Sequence, residues 1–212
     1  MLPVVSMSAS CFRVGTLPAR ELYRLALPDS LAPGVPAAPT DAAPLPGTLA
    51  IATWRAPGLY GAPGIVYRVD DTQYGTYPSR EWAIPLGDQL GVFTSALLRR
   101  APLTRGGALY DPPNARAQAY VWRGTIREFE EVDRDRAVFA AVRLDALLAR
   151  ASDDSVVWQG SVRLERPVAD PTMANIVAAL SALAIEGIAR LTSDAAAAVV
   201  PPTVTGAARG RP

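Results

Sequence analysis

Residues 155–194, SVVWQGSVRLERPVADPTMANIVAALSALAIEGIARLTSD, pass from one apolar period to another, and that change decides the fold. Over 155–165, Val156, Trp158, Val162 and Leu164 alternate with Gln159, Ser161, Arg163 and Glu165, as in a strand with one face in a core and one in water. After Asp170 the spacing becomes helical: Ile176, Leu180, Leu183, Gly187 and Leu191 hold one face, with Val177, Ala184 and Ile188 beside them. Asp170 suits an N-cap and Pro171 a first turn, where the missing N–H costs nothing. The stretch therefore predicts a strand followed by a long amphipathic helix.

Working back toward the N-terminus, residues 119–129 alternate too, with Tyr120, Trp122 and Ile126 on one face and Arg123, Thr125 and Arg127 on the other. Asp133-Arg134-Asp135-Arg136 reads as a polar turn. Val138, Ala140, Val142 and Leu144 alternate after it, although Val138, Val142 and Ala146 also fit a helix. Leu86, Leu90, Phe93 and Leu97 predict a helix over 83–100 with Pro85 in its first turn. Residues 22–27, 48–54 and 65–69 read as strands, with 56–64 as a turn-rich bridge. The Pro- and Ala-rich segment 28–47 reads as an extended loop or linker, and an Ala-, Pro- and Gly-rich tail from 195 is expected to be disordered.

The order β-β-β-α-loop-β-β-β-α predicts a two-layer α/β sandwich. Its mixed or antiparallel sheet has about five to six strands, with two main helices packed on one face. One domain spans 22–194, and 1–21 is a signal-peptide remnant and tether.

Composition narrows the chemistry. Basic and acidic residues number 21 and 20 and are scattered, which argues against nucleic acid. Every basic residue is arginine; histidine and lysine are absent, and Cys11 is the single cysteine. Ser-His-Asp, Cys-His and Ser-Lys machinery, a lysine-bearing phosphate loop and His- or Cys-rich zinc sites cannot be built from this chain. No cofactor, metal or catalytic residue is expected, and only carboxylates, Tyr, Ser and Arg remain for an enzymatic alternative.

The apolar stretches read as broken short of the roughly 20 residues needed to span a bilayer. Residues 1–11, MLPVVSMSASC, resemble the stump of a lipoprotein signal peptide, with Ala9 and Ser10 before Cys11 but Ser8 where Leu is usual. Either the start lies upstream or Cys11 is an ordinary residue.

Three motifs have competing readings. Glu128, Glu130, Glu131, Asp133 and Asp135 could form a metal or acid/base cluster, but their place beside a turn predicts a solvated hairpin end. Gly58–Gly64 lacks the lysine of a phosphate cradle, and Pro63 removes a donor, so a tight crossover loop is expected. Tyr60, Tyr67, Tyr74, Tyr77 and Trp82 crowd one stretch, as interface residues or as core. Tyr60, Ile65, Tyr67, Tyr77, Trp82 and Pro85 are the candidate partner or ligand surface.

Several segments together resemble the ABC-type transport auxiliary lipoprotein family, small envelope lipoproteins that accompany MCE-domain lipid transporters. They are Leu22-Tyr23-Arg24-Leu25, Leu59 to Arg68 (LYGAPGIVYR), Arg80 to Leu86 (REWAIPL) and Ile126-Arg127-Glu128-Phe129. The resemblance covers about 22–192. It implies a non-catalytic periplasmic accessory protein, lipidated at Cys11 and held at the outer membrane, where Phe12 gives no inner-membrane retention signal. The implied partners are an MCE-domain protein and ABC transporter subunits, with phospholipid and a second copy of the chain as further candidates. A stand-alone carrier of an apolar ligand is the alternative.

Overall fold

The strand Tyr120–Arg134 is hydrogen-bonded along both edges, and the other elements are arranged around it. The computed structural model describes residues 19–31, 43–70 and 72–199; Cys11, most of the 28–47 segment and the tail beyond 199 lie outside them. The elements are β1 (Glu21–Tyr23), β2 (Leu49–Ile51), β3 (Gly64–Val69), β4 (Gln73–Trp82), α1 (Leu86–Arg100), β5 (Ala108–Tyr110), β6 (Tyr120–Arg134), β7 (Ala137–Arg150), β8 (Val156–Pro167) and α2 (Met173–Val199). The architecture is the expected two-layer mixed α/β sandwich, but its sheet has eight strands rather than five to six.

Two strands were hidden in the sequence. β4 contains Gly75 and Pro78, residues that interrupt a strand pattern. Its register against β3 shifts between Gly64↔Glu81 and Val66↔Thr76, so Tyr77–Arg80 lie opposite Ile65 alone. Proline is tolerated in such a bulge because no ladder bond is required of it. β5 is three residues inside a Gly- and Pro-containing loop and becomes a strand by lying parallel to β2.

β6, β7 and β8 form an antiparallel meander, so residues 137–150 take the strand alternative rather than the helix. Asp135 and Arg136, both at positive φ, make the two-residue turn between β6 and β7. Along the other edge of β6 run, in parallel, β2 (Ile51↔Trp122), a bridge at Arg55↔Thr125, and β3 (Val66↔Glu130). Residues 56–63 bulge out between them. Trp54 turns in at that break, its indole against Gly124 and its Nε1 donating to Thr94 Oγ1 of α1 at 3.0 Å.

Ile176, Leu180, Leu183, Ile188 and Leu191 of α2 are buried within the core shared with β7 and β8. Each such burial is worth roughly 1.5–3 kcal/mol. α2 begins later than expected: Thr172 Oγ1, not Asp170, accepts the Asn175 N–H at 3.3 Å, while Asp170 O accepts the Asn175 side-chain amide at 2.9 Å. It also runs on through Val199. Against the sequence reading, α2 is long and apolar enough by length and composition to cross a membrane, with a mean hydropathy of 1.5 over its best window. More than half of that window is buried inside the protein.

Trp122 stacks on Trp158 with centroids 5.6 Å apart, and its indole N–H has no partner among the described residues. The far face of the sheet is covered at one end, where Ala115 packs over Ala50, Val121 and Ala151, and is polar and open in its middle.

A Cβ at Gly124 would fall inside the Trp54 ring. Gly124→Ala should therefore destabilise the protein by about 1–3 kcal/mol. In urea denaturation this appears as a lowered midpoint with an unchanged slope.

Candidate functional site

The carboxylates that read as a solvated hairpin end are partly core. Glu130 is 0% exposed and Glu131 4%, because β6 is an inner strand with neighbours over both of its faces here. Arg68, two residues beyond the Val66 that pairs with Glu130, lies on the same side of the sheet and donates from Nε to Glu130 Oε1 at 2.7 Å. The Tyr60 hydroxyl donates to the other oxygen of Glu130. On the opposite side the Tyr77 hydroxyl donates to Glu131 Oε2 at 2.8 Å.

Burial and these bonds push the Tyr60 and Tyr77 phenols far above their ordinary values, so both remain neutral donors. Burial likewise raises Glu131, against the bond from Tyr77. The adjacent glutamates point to opposite faces, so they do not form a paired acid/base site. Among the described residues, no three acidic, cysteine or histidine side chains are grouped to hold a metal.

The six residues singled out from sequence separate into three environments. Ile65 is wholly buried in the core. Tyr67 and Tyr77 pack together, with centroids 5.1 Å apart, on the β3–β4 side. Tyr60, Trp82 and Pro85 come together around a groove of about 240 Å³ that also takes in Trp54 and the turn at Gly61–Pro63. Trp82 itself is buried edge-on against Phe129, with centroids 5.9 Å apart. Exposed Pro85 occupies the N-cap of α1, with φ −52°.

A second groove, of about 380 Å³, lies on the other side of Ile84–Pro85 and is mainly apolar. Its walls are the segment Arg24–Leu27 and the first turns of α1, including Val92 and Phe93. Gln89 builds it: its Oε1 accepts the Leu25 N–H and its Nε2 donates to Ile84 O, both at 2.7 Å. The Ala26 N–H is held by Ser181 Oγ of α2 at 3.1 Å. Asp88 is common to both grooves.

Ile84 and Val92 remain 45% and 44% exposed, so the accessible apolar atoms here belong to residues the sequence reading passed over. Val92 did carry a signal, an apolar residue off the Leu86-Leu90-Phe93-Leu97 stripe. Ile84 was hidden by its larger neighbour Trp82. The groove linings are mainly apolar, with Asp88 shared by both and the Tyr60 hydroxyl tied to Glu130, an arrangement suited to binding apolar groups.

The family model for the ABC-type transport auxiliary lipoprotein component matches residues 30–196. The chain belongs to that family. For this transport auxiliary protein the matched span takes in LYGAPGIVYR, REWAIPL and Ile126–Phe129 and begins after Leu22–Leu25. Membership places it among envelope lipoproteins in an ABC transporter context.

The fold is similar to that of protein XCC0632 from Xanthomonas campestris, a member of the family designated DUF330. The TM-score is 0.67 at 19% identity, covering 84% of this chain and 95% of that one. A crystal structure of another, uncharacterized protein is similar with a TM-score of 0.60 at 18% identity, covering 84% and 99%. No curated protein matches the sequence.

Two outcomes test the buried carboxylates. Arg68→Ala leaves Glu130 charged and buried, and should cost about 3–5 kcal/mol in denaturant unfolding. Part of that should return in the Arg68→Met/Glu130→Leu double variant. For Glu131, whose folded value lies above its ordinary 4.5, the folded state holds more protons than the unfolded between those values. Its contribution to stability therefore falls as pH rises through that window. The stability of Glu131→Gln relative to the unsubstituted protein should accordingly improve from pH 4 to pH 7 in urea unfolding measured at both.

Proposed function

We propose that the chain is a non-catalytic periplasmic accessory lipoprotein of an MCE-associated ABC-type lipid transport system. In this reading lipidated Cys11 holds it at the outer membrane, and it docks on the transporter through the apolar surface on either side of Ile84–Pro85. The observation that carries the reading is the family match over residues 30–196. Two shallow grooves beside exposed Ile84 and Val92 supply a surface suited to a protein partner, with Tyr60, Trp82 and Pro85 lining one of them.

The carrier alternative draws on the second groove, whose volume falls in the range of small-molecule pockets. A carboxylate enzyme draws on less: among the described residues Asp88 is the single carboxylate lining the two grooves, and neither Glu130 nor Glu131 lines either.

Affinity capture from detergent-solubilised envelopes of the host tests the reading. An MCE-domain protein or an ABC permease should be recovered with the unsubstituted chain and fall at least ten-fold with Ile84→Glu/Val92→Glu, a loss of about 1.4 kcal/mol. Both side chains are accessible, so the variant keeps its fold, unlike Trp82→Ala, which would open the core. Capture of neither partner, together with co-purifying lipid, would replace docking by the carrier reading.

A further inference from the structure

The open face of the sheet carries a basic groove that the docking reading does not use. Strand register places Arg55, Thr125, Asp145 and Ser161 in one row across four neighbouring segments. The next rows set Arg123 beside Leu147 and Gln159, and Glu128 beside Arg143 and Arg163. Arg55, Arg123, Arg127 and Arg143 line a broad depression of about 650 Å³ whose one carboxylate is Asp145.

The carboxylates on this face are already engaged. Asp145 accepts from Arg127 Nε at 2.6 Å on one oxygen and from the Ser161 hydroxyl at 2.7 Å on the other. Glu128 takes Arg163 at 3.1 Å and lies 3.9 Å from Arg143. Asp154, at the margin, takes Arg123 at 2.6 Å. The Arg55 guanidinium has no hydrogen bond or ion pair among the described residues. Five arginines thus meet three carboxylates, and each guanidinium has five donors of which these pairings use few. Such a surface recognises oxyanions, phosphate above all.

We propose that this face rests on the phosphate headgroups of an anionic phospholipid surface. Among the described residues, Ala146 and Leu147 are its only apolar lining side chains, so it offers headgroup contact and no slot for an acyl chain. An acidic protein segment laid along the strands would have to cross Asp145 and Glu128, which stand within the rows. Phosphates of a fluid surface settle individually over Arg55 and Arg143 and leave those carboxylates uncovered. The donors are also spread over a broad sheet face, which suits a plane of headgroups. The inference does not rest on the docking reading, because a basic face meets an anionic surface with or without a transporter.

Vesicle co-sedimentation of the full chain carrying Cys11→Ser, so that no acyl anchor contributes, tests it. The protein should bind phosphatidylglycerol-containing vesicles, not pure phosphatidylcholine vesicles, and should release in high salt. A basic residue near such a surface is worth about five-fold in partition, so Arg55→Gln/Arg143→Gln should bind about thirty-fold more weakly at an unchanged unfolding midpoint. Arg55→Lys/Arg143→Lys should retain most of the binding.

Equal binding to both vesicle types, no binding, or undiminished binding by the glutamine variant would overturn the proposal. Arg-dependent binding to a poly-glutamate peptide in the absence of vesicle binding would overturn it in favour of an acidic protein partner. The assay contains no transporter, so its failure leaves the docking reading untouched.

Discussion

An inner strand must have its N–H and C=O groups satisfied along both edges, and in this protein that demand falls on β6. One edge is met throughout by β7. The other is met in instalments, by β2, then the Arg55 bridge, then β3. Because the covering chain is longer than the edge it covers, residues 56–63 are displaced outward. That displacement produces the turn beside Tyr60 and Trp82 and lets Trp54 cross from the sheet to Thr94 of α1. The groove is thus a by-product of completing β6.

The buried polar groups serve the same strand. An ion pair such as Arg68–Glu130 recovers little net free energy after desolvation, but it is specific to alignment. A one-residue slip of β3 along β6 would move Arg68 to the other side of the sheet and leave Glu130 charged and buried. Tyr60 adds a second tie from the displaced loop, so the loop's position and the strand's register are fixed together.

The two sides of the molecule therefore offer different chemistry. Beside α1 the accessible groups are apolar, Ile84 and Val92, on a framework held by Gln89 and Ser181. On the open sheet face they are arginines aligned by strand register, with their carboxylates engaged. Separate faces of this kind suit an accessory protein that meets more than one kind of surface.

Periodicity alone determined β8, α1, α2 and the outward face of β6, because burial on one side writes a period of two or about 3.6 into the residues themselves. The absence of histidine and lysine likewise ruled out most catalytic machinery before any geometry was known. β4 and β5 were decided only by tertiary pairing, since a bulge accommodates Pro78 and a neighbouring strand recruits Ala108–Tyr110. The fate of the aromatic cluster was decided the same way. Composition marks Tyr and Trp as able to face either a partner or a core, and only the strand register sets half-buried Tyr77 over Glu131 and buries Trp82 against Phe129, while Tyr74 stays exposed with Ile84 and Val92.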